Sequence, residues 1–393
     1  MAEPAPIARD RTPADPPCAR GPLPWGASRP TATTPLRICL IGSSRFPIRE
    51  PFAGGLEAHT HALARELLRR GHDVSLFAAA GSDPALNVVH LPCAVYESDE
   101  ESRRDVAAPP EQWMDEHHAY LGLMMDLVRS GRRSFDVIHN NSLHHLPIAM
   151  SSAVDLPIIT TLHTPPVPWL TSAIAYAGDN CHFVSVSHAT ARAWSPMVAS
   201  TPVHNGIDLD QWSPGPGGGP AVWSGRIVPE KAPHQAARAA RSIGMPLWIA
   251  GEILDRRYFT TEVQPLLGDG IEYVGHLTHR ELTDLVGRAT VAVVTPAWEE
   301  PFGLVAVEAL ACGTPVAAFA RGALGEIVDE TTGALAPGGD VPALALAMRA
   351  AATRDRVVVR AAARARFSHS AMVDSYVDLY RRATGATTED PAA

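Results

Sequence analysis

Two glutamates with seven residues between them, Glu300 and Glu308, stand in the segment EEPFGLVAVE at positions 299–308. A strand pattern ends before this segment and a helical pattern begins within it. That junction is predicted at the carboxyl edge of a parallel sheet, where α/β proteins bind ligands. Gly303 allows close backbone approach, and the start of the helix offers unpaired N–H groups to an anion. Both carboxylates are therefore predicted to reach a ligand that lies across the helix N-terminus.

Glu308 has apolar neighbours on both sides along the chain. A carboxylate in such surroundings needs a polar partner, and sugar or ribose hydroxyls would supply one. The alternative is that Glu308 pairs with a buried arginine, while Glu300 is a surface charge beside the helix start. Taken alone, the segment favours a binding function over this structural alternative.

Two further motifs strengthen the binding interpretation. Arg226 and Lys231 lie in the segment SGRIVPEK, which is predicted to form a strand-to-helix turn. Cations at such a turn can bind a diphosphate, arginine as a planar fork and lysine as a point charge. In the first half of the chain, Gly54 and Gly55 precede another predicted helix. Each glycine-rich loop alone is weak evidence, but together they predict two walls of one anion-binding cleft.

Alternating short strands and helices surround these motifs. A strand over 36–41, a helix after Gly55 and a strand over 72–77 form a βαβ unit, which implies a parallel sheet. The alternation restarts near residue 221, so we predict an α/β protein of two doubly wound domains. Less regular elements are predicted as well: a helix over 119–128, a strand over 203–208 and a helix over 229–242.

The Gly- and Pro-rich run at 213–220 marks the clearest boundary. Its glycines follow no strand and open no helix, so we interpret them as a linker rather than a dinucleotide fingerprint. The predicted organisation is a disordered tail (1–35), a Rossmann-like acceptor domain (36–210), a linker (211–220), a Rossmann-like donor domain (221–370), a helix crossing back to the first domain (371–385) and a disordered tail (386–393).

Composition narrows the function classes. A length of 393 residues favours two domains, and a net charge of −9 disfavours a nucleic-acid binder, which needs a basic surface. Five scattered cysteines without a C-x-x-C pair fit a reducing cytosol and indicate neither a disulfide framework nor a zinc site. No stretch reaches the about 18 apolar residues of a transmembrane helix. We therefore expect a cytoplasmic protein, with peripheral association with the inner membrane face left open.

In combination, the motifs resemble glycosyltransferase family 4, a group of retaining enzymes with the GT-B fold. The resemblance covers about residues 36–385 and rests on four pieces of sequence. They are GGLE at 54–57, NGID at 205–208, SGR at 224–226 with Lys231, and the Glu300/Glu308 pair. The combination is specific even though each motif alone is not.

The resemblance implies a hexosyltransferase that takes a UDP- or GDP-sugar as donor. By that resemblance Arg226 and Lys231 bind the diphosphate, Glu308 the ribose and Glu300 the transferred sugar. The predicted catalytic residues are His163, Arg226, Lys231 and Glu300. The predicted donor-binding residues are Gly54, Gly55, Arg226, Lys231, Glu300, Phe302, Gly303, Leu304 and Glu308. Taken by itself, a lone histidine after Thr-Thr-Leu is more often structural than catalytic.

No cofactor is predicted, because helix dipoles together with Arg226 and Lys231 can neutralise a departing diphosphate without a metal ion. The Asp-x-Asp at 208–210 is interpreted as a structural turn. Five other histidines are interpreted as surface or acceptor-site residues rather than metal ligands: His117, His118, His139, His144 and His145. Retention of configuration is implied by the resemblance alone.

Two departures from the family pattern and three rival functions remain. Ala232-Pro233 replaces the usual glycine after Lys231, which predicts a shifted helix start, and segment 321–326 fits the family only loosely. An NAD-dependent dehydrogenase is disfavoured, because GSSRF follows the first strand instead of G-x-G-x-x-G. A nucleotide-sugar epimerase or another GT-B enzyme, and a non-catalytic nucleotide-sugar-binding protein, stay open. The acceptor, whether small molecule, lipid or glycan, is expected to contact segments 45–52, 96–118 and 165–176.

Overall fold

The structure, a computed structural model, describes residues 34–91, 102–104 and 106–385. Nearly all of the first predicted tail and all of the second therefore lie outside the described residues. So do residues 92–101 and 105, which include part of the predicted acceptor segment 96–118.

The first domain is built on an open sheet of seven parallel strands. They follow the spatial order β3-β2-β1-β4-β5-β6-β7. The central strands are buried on both faces, which explains the continuous apolar runs in their sequences. The strands are β1 (Arg37–Ile41), β2 (Asp73–Ala78), β3 (Val88–His90), β4 (Val137–Asn140), β5 (Ile158–Leu162), β6 (Cys181–Ser185) and β7 (Thr201–Pro202).

The second domain repeats this architecture with six parallel strands in the order β10-β9-β8-β11-β12-β13. The prediction of an α/β fold with two Rossmann-like domains is confirmed. The strands are β8 (Ala221–Ser224), β9 (Leu247–Ala250), β10 (Ile271–Gly275), β11 (Ala292–Val294), β12 (Val316–Phe319) and β13 (Gly333–Ala336).

Thirteen α-helices are found within the described residues, and none of them is long and apolar enough to cross a membrane. In the first domain they are α1 (Gly55–Arg69), α2 (Glu111–Ser134), α3 (Leu146–Ala149), α4 (Pro168–Ile174) and α5 (His188–Trp194). The others are α6 (Pro233–Ser242), α7 (Arg256–Tyr258), α8 (His279–Arg288), α9 (Leu304–Ala311), α10 (Leu324–Ile327), α11 (Val341–Ala351), α12 (Arg356–Arg366) and α13 (His369–Ala383).

Three predicted elements differ from the structure. Helix α2 begins at Glu111 rather than near residue 119, because its first two turns are mostly polar and show no apolar periodicity. Helix α6 begins at Pro233, since Ala232 has a left-handed backbone with φ of 46° and proline suits the first helical position. The strand predicted over 203–208 is wrong: strand β7 ends at Pro202, and the chain continues as a loop.

The two domains are joined twice along the chain. The Gly- and Pro-rich segment 213–220 forms neither helix nor regular strand, yet its backbone is fastened to the second domain. The Gly217 amide donates to the Gly287 carbonyl at 3.0 Å, and the Gly219 amide donates to the Arg288 carbonyl at 2.9 Å.

Helix α13 makes the second connection, because it packs into the core of the first domain. Val373 and Tyr376 of α13 belong to the same buried cluster as Leu40 of β1. The Tyr380 hydroxyl lies 2.5 Å from Nδ1 of His139, which is fully buried and also bonded to Thr161. The interpretation of His139 as a surface or acceptor-site histidine is therefore wrong.

Candidate active site

A cavity of about 970 Å³ lies between the two domains, at the carboxyl ends of both sheets. All ten site residues predicted from the sequence line this cavity. They are Gly54, Gly55, His163, Arg226, Lys231, Glu300, Phe302, Gly303, Leu304 and Glu308. The side chain of Phe302 is buried and packs against Phe367, so its backbone rather than its ring is available to a ligand. The individual roles of these residues remain predictions.

The N-terminus of helix α9 opens into the cavity. Gly303 caps the helix with φ of +100°, a conformation that favours glycine. A Cβ at that position would also lie only 2.8 Å from Cδ2 of Leu324. The backbone amides of Gly303, Leu304 and Val305 form no hydrogen bond within the described residues. These free N–H groups and the helix dipole make an anion-binding end.

Glu308 lies on the second turn of α9 and faces the same cavity. It is partly buried, and its carboxylate forms no hydrogen bond or ion pair with the described residues. Burial raises the pKa of Glu308 from about 4.5 to about 7. The buried arginine of the structural alternative is not among the described contacts, so this carboxylate is open to hydroxyl donors from a ligand.

Arg226 is positioned by the end of strand β8. Gly225 follows this strand directly. A Cβ on Gly251 would lie 1.8 Å from the carbonyl oxygen of Gly225, so the ends of β8 and β9 can approach this closely only because residue 251 is glycine. Arg226 has no hydrogen bond or ion pair within the described part of the chain, which leaves its guanidinium available. Across the cavity, burial raises the pKa of Glu57, and the positive charge of Arg226 opposes part of this rise.

The side chains of Lys231 and Glu300, which were predicted to bind different parts of the donor, form an ion pair with each other. The distance from Lys231 Nζ to Glu300 Oε2 is 2.6 Å, and the Trp298 indole donates to the same oxygen at 3.1 Å. The lysine ammonium lies 5.1 Å from the centre of the Trp298 ring. The Thr295 hydroxyl contacts the carbonyl of Lys231 at 3.0 Å, which helps hold the turn. Sequence reasoning missed Trp298, although its place two residues before Glu300 was visible.

His163 follows strand β5, and its Nε2 lies 3.0 Å from Oδ1 of Asn141. The amide oxygen can only accept, so Nε2 carries the proton and Nδ1 is left as an acceptor. Burial lowers the pKa of His163 to about 3. This histidine is therefore neutral near pH 7, where it can bind a hydroxyl group but does not supply a cationic acid.

Three histidines come together at the first-domain side of the cavity. One ring nitrogen each from His117, His144 and His145 lie within 4.8 Å of one another, as a metal site would require. Nδ1 of His144, however, accepts the Leu146 amide at 3.2 Å, so the proton of this neutral ring sits on Nε2. Coordination by His144 would need that hydrogen bond to break.

The Asp-x-Asp motif lies elsewhere in the structure. Asp208 is bonded to Arg65 of α1 at 2.7 Å and also accepts the Asp210 amide at 3.1 Å. Neither aspartate lines the cavity. Both bonds are typical of a structural turn.

Glu326 of α10 joins the two domains beside the cavity. Its carboxylate accepts the backbone amides of His188 and Ala189 at 2.9 and 2.5 Å and lies 3.0 Å from Nε2 of His204. Nearby, the Ser187 hydroxyl donates to the Pro301 carbonyl at 2.7 Å. Sequence reasoning left segment 321–326 out of the site, because nothing local shows that Glu326 meets a helix start 138 residues away.

Two family descriptions match the chain. Glycosyltransferase Family 4 matches residues 53–211, and Glycosyl transferases group 1 matches residues 220–368. The two matches fall in the first and second domains respectively, on either side of the cavity.

Two mycobacterial proteins are similar over most of their length. Glycogen synthase of Mycobacterium tuberculosis is 30% identical over 368 residues, covering 80% of this chain and 85% of the relative. D-inositol 3-phosphate glycosyltransferase of Mycobacterium bovis is 30% identical over 431 residues, covering 93% and 88%. The crystal structure of the Anabaena protein HepE in complex with UDP and glucose superposes with a TM-score of 0.70. It is 19% identical and covers 88% of this chain and 100% of that one, which shows a shared fold.

Proposed function

The chain belongs to glycosyltransferase family 4, and we propose that it transfers a hexose from a UDP- or GDP-sugar to an acceptor hydroxyl. The observation that carries this proposal is the unpaired Glu308 carboxylate beside the open N-terminus of α9. Ribose hydroxyls would satisfy the carboxylate, and the donor diphosphate would satisfy the free amides together with Arg226. UDP-glucose is the first donor to test, because the HepE structure of the same fold contains UDP and glucose.

In the proposed reaction, the bond between the sugar C1 and the diphosphate oxygen breaks, and its electron pair leaves with the diphosphate. A bond forms between C1 and the acceptor oxygen, whose proton passes to an oxygen of the departing phosphate. The α9 amides, Arg226 and Lys231 stabilise the negative charge that develops on the leaving group. Retention of configuration is part of this proposal and rests on the family resemblance.

Metal independence belongs to the same proposal. Arg226, Lys231 and the N-terminus of α9 line the same cavity, and together they would supply the charge neutralisation that a divalent ion could otherwise provide. A cytoplasmic location is also proposed. It is supported by the free, buried Cys39, Cys181 and Cys312, and detection of the protein in the cytoplasmic fraction of its cells would test it.

A hydrolysis screen tests the function without an acceptor. UDP-, GDP- and ADP-sugars would each be incubated with the protein, and the release of nucleoside diphosphate and free hexose measured. We expect one donor to be hydrolysed, with a loss of about tenfold or more in Glu308→Gln. Release of an isomerised nucleotide sugar would indicate an epimerase, and binding without turnover of any donor would indicate a non-catalytic protein. The anomeric configuration of the first transfer product, measured by NMR, tests retention.

A further inference from the structure

The first-domain wall of the cavity has a chemistry that differs from the cationic donor side. Among the described residues that line it, Arg45 is the single cation, and the carboxylates are those of Glu50, Glu57 and Glu116. The Arg45 guanidinium is already held by Glu116 through two hydrogen bonds of 2.8 and 3.1 Å. Glu50 is exposed and forms no ion pair within the described residues. The described residues of this wall therefore offer no free positive charge to an anionic group.

The histidines of the wall do not change this balance. Burial and the neighbouring histidines hold the pKa of His144 near 3, and burial lowers the pKa of His145 below its usual value. Both rings are neutral near pH 7 and act as hydrogen-bonding groups rather than cations. A phosphate group placed here would lose its hydration without gaining a counter-ion, which is unfavourable.

Large aromatic side chains project from the same wall. Phe46, Trp113 and Trp169 line the cavity and are nevertheless 42%, 46% and 53% exposed. One face of Trp113 is stacked on His117 with ring centres 4.9 Å apart, and the Trp169 indole is fixed by a hydrogen bond to the Leu143 carbonyl. Exposed aromatic rings held in place around a cavity are typical of ligand-binding surfaces.

The wall combines exposed aromatic rings with polar groups. The Arg45–Glu116 pair and His145 also line the wall that carries the exposed rings, and Ser44 and Asn205 add further polar groups to the cavity. A sugar ring matches this pattern because it has apolar faces and hydroxyl groups around its edge. An acyl chain would need a continuous apolar surface instead.

We propose that the acceptor is an uncharged carbohydrate whose ring stacks on Trp113 and Trp169, and that phosphorylated acceptors are excluded because the described residues of this wall include no free cation. This inference rests on the proposed glycosyl transfer and adds the substrate class. It separates this chain from its relative, D-inositol 3-phosphate glycosyltransferase, whose name states a phosphorylated acceptor.

Matched acceptor pairs test the inference with the donor that the hydrolysis screen identifies, beginning with UDP-glucose. Glucose, mannose, N-acetylglucosamine and myo-inositol would each be compared with a phosphorylated counterpart, and maltotriose would extend the neutral set. We expect at least one neutral acceptor to be used, with its phosphorylated counterpart at least about tenfold poorer in kcat/KM. Equal or better use of any phosphorylated member, or no use of any neutral one, would overturn the inference.

Substitutions in this wall test whether its residues determine the preference for neutral acceptors. Trp113→Ala and Trp169→Ala should each raise the acceptor KM by about three- to tenfold, with a smaller change in the KM for the donor. Leu346→Ala, which truncates an exposed apolar side chain on α11, is the control and should change neither. Glu116→Gln frees Arg45 and should narrow the gap between neutral and phosphorylated acceptors.

The outcomes separate the two proposals. Absence of hydrolysis of every UDP- and GDP-sugar, together with absence of transfer, would contradict the proposed donor chemistry. Intact hydrolysis with tryptophan variants that keep the wild-type acceptor KM would contradict the acceptor inference alone.

Discussion

The Nζ atom of Lys231 lies 2.6 Å from Oε2 of Glu300, so the cation predicted for the diphosphate is bonded to the carboxylate predicted for the sugar. The Trp298 indole donates to the same carboxylate oxygen. With a donor bound, the Lys231 ammonium would therefore contact both the Glu300 carboxylate and the phosphate oxygens. Glu308 has no such partner within the described residues, so substitutions of the two glutamates should have different effects.

At pH 8, where Glu308 is mostly ionised, Glu308→Gln should weaken binding of UDP by about ten- to a hundredfold, because a hydrogen bond to a charged group is lost at the ribose. Glu300→Gln should leave UDP affinity unchanged or slightly higher, since it releases Lys231, while turnover of the sugar donor falls. Calorimetry with UDP and kinetics with UDP-glucose measure the two effects. Equal losses of UDP affinity in both variants would show that this division between nucleoside and sugar is mistaken.

Lys231 is the only lysine in the chain, which makes it a selective chemical probe. Amine-reactive reagents should label Lys231 and the N-terminus alone, and UDP should slow labelling of Lys231 if the ammonium contacts the diphosphate. Peptide mapping by mass spectrometry separates the two sites, and the N-terminal amine serves as the internal control. Labelling of Lys231 at the same rate with saturating UDP would remove it from the diphosphate site.

Arg226→Ala should reduce donor kcat/KM by about tenfold to several hundredfold, because a charge-assisted contact to the diphosphate is lost in a shielded cavity. Arg238→Ala is the matched control, since Arg238 lies on α6 of the same domain and is exposed beside Glu262. Steady-state kinetics with UDP-glucose measure both variants. A change of less than about threefold for Arg226→Ala would contradict the assignment.

The raised pKa of Glu308 predicts a pH-dependent effect on stability. Folding favours the protonated carboxyl group, so its contribution is complete below about pH 4.5 and is lost as the pH rises through about 7. The Glu308→Gln variant cannot ionise at this position. It should therefore be more stable than wild type at pH 8, by up to about 3 kcal/mol, with little difference at pH 4.5.

Urea unfolding of wild type and Glu308→Gln at both pH values measures this difference. Glu272→Gln, which removes an exposed carboxylate from β10, controls for the loss of one charge. The same stability difference at both pH values would mean that burial does not hold Glu308 protonated.

Excess EDTA should leave donor hydrolysis within about twofold of the untreated rate, because Arg226, Lys231 and the α9 amides are assigned to charge neutralisation. Mock-treated enzyme is the control. Loss of activity on chelation that manganese or magnesium restores would contradict metal independence. Substitution of His117, His144 and His145 would then show whether these three histidines hold the ion.

Much of the site could be predicted because its motifs are local. A strand end, a glycine and the first turn of a helix occupy about ten consecutive residues, so Gly303 and Glu308 could be placed together from spacing alone. The ends of helices were harder to predict where no capping or apolar pattern marks them in the sequence. Helix α2 begins eight residues before the predicted start, because the mostly polar residues of its first two turns resemble a loop in sequence.

The sequence by itself determined two parallel α/β domains, the strand-to-helix turns that carry Arg226, Lys231 and Glu300, and the family. Only the tertiary structure decided which side chains meet. It buried His139 against Tyr380 while placing His144 in the cavity, and it joined Glu326 to the amides of His188 and Ala189. It also left Glu308 without an arginine partner among the described residues. Backbone propensity and apolar periodicity act over a few neighbouring residues, whereas these pairings depend on how faces more than 100 residues apart pack, which no local pattern records.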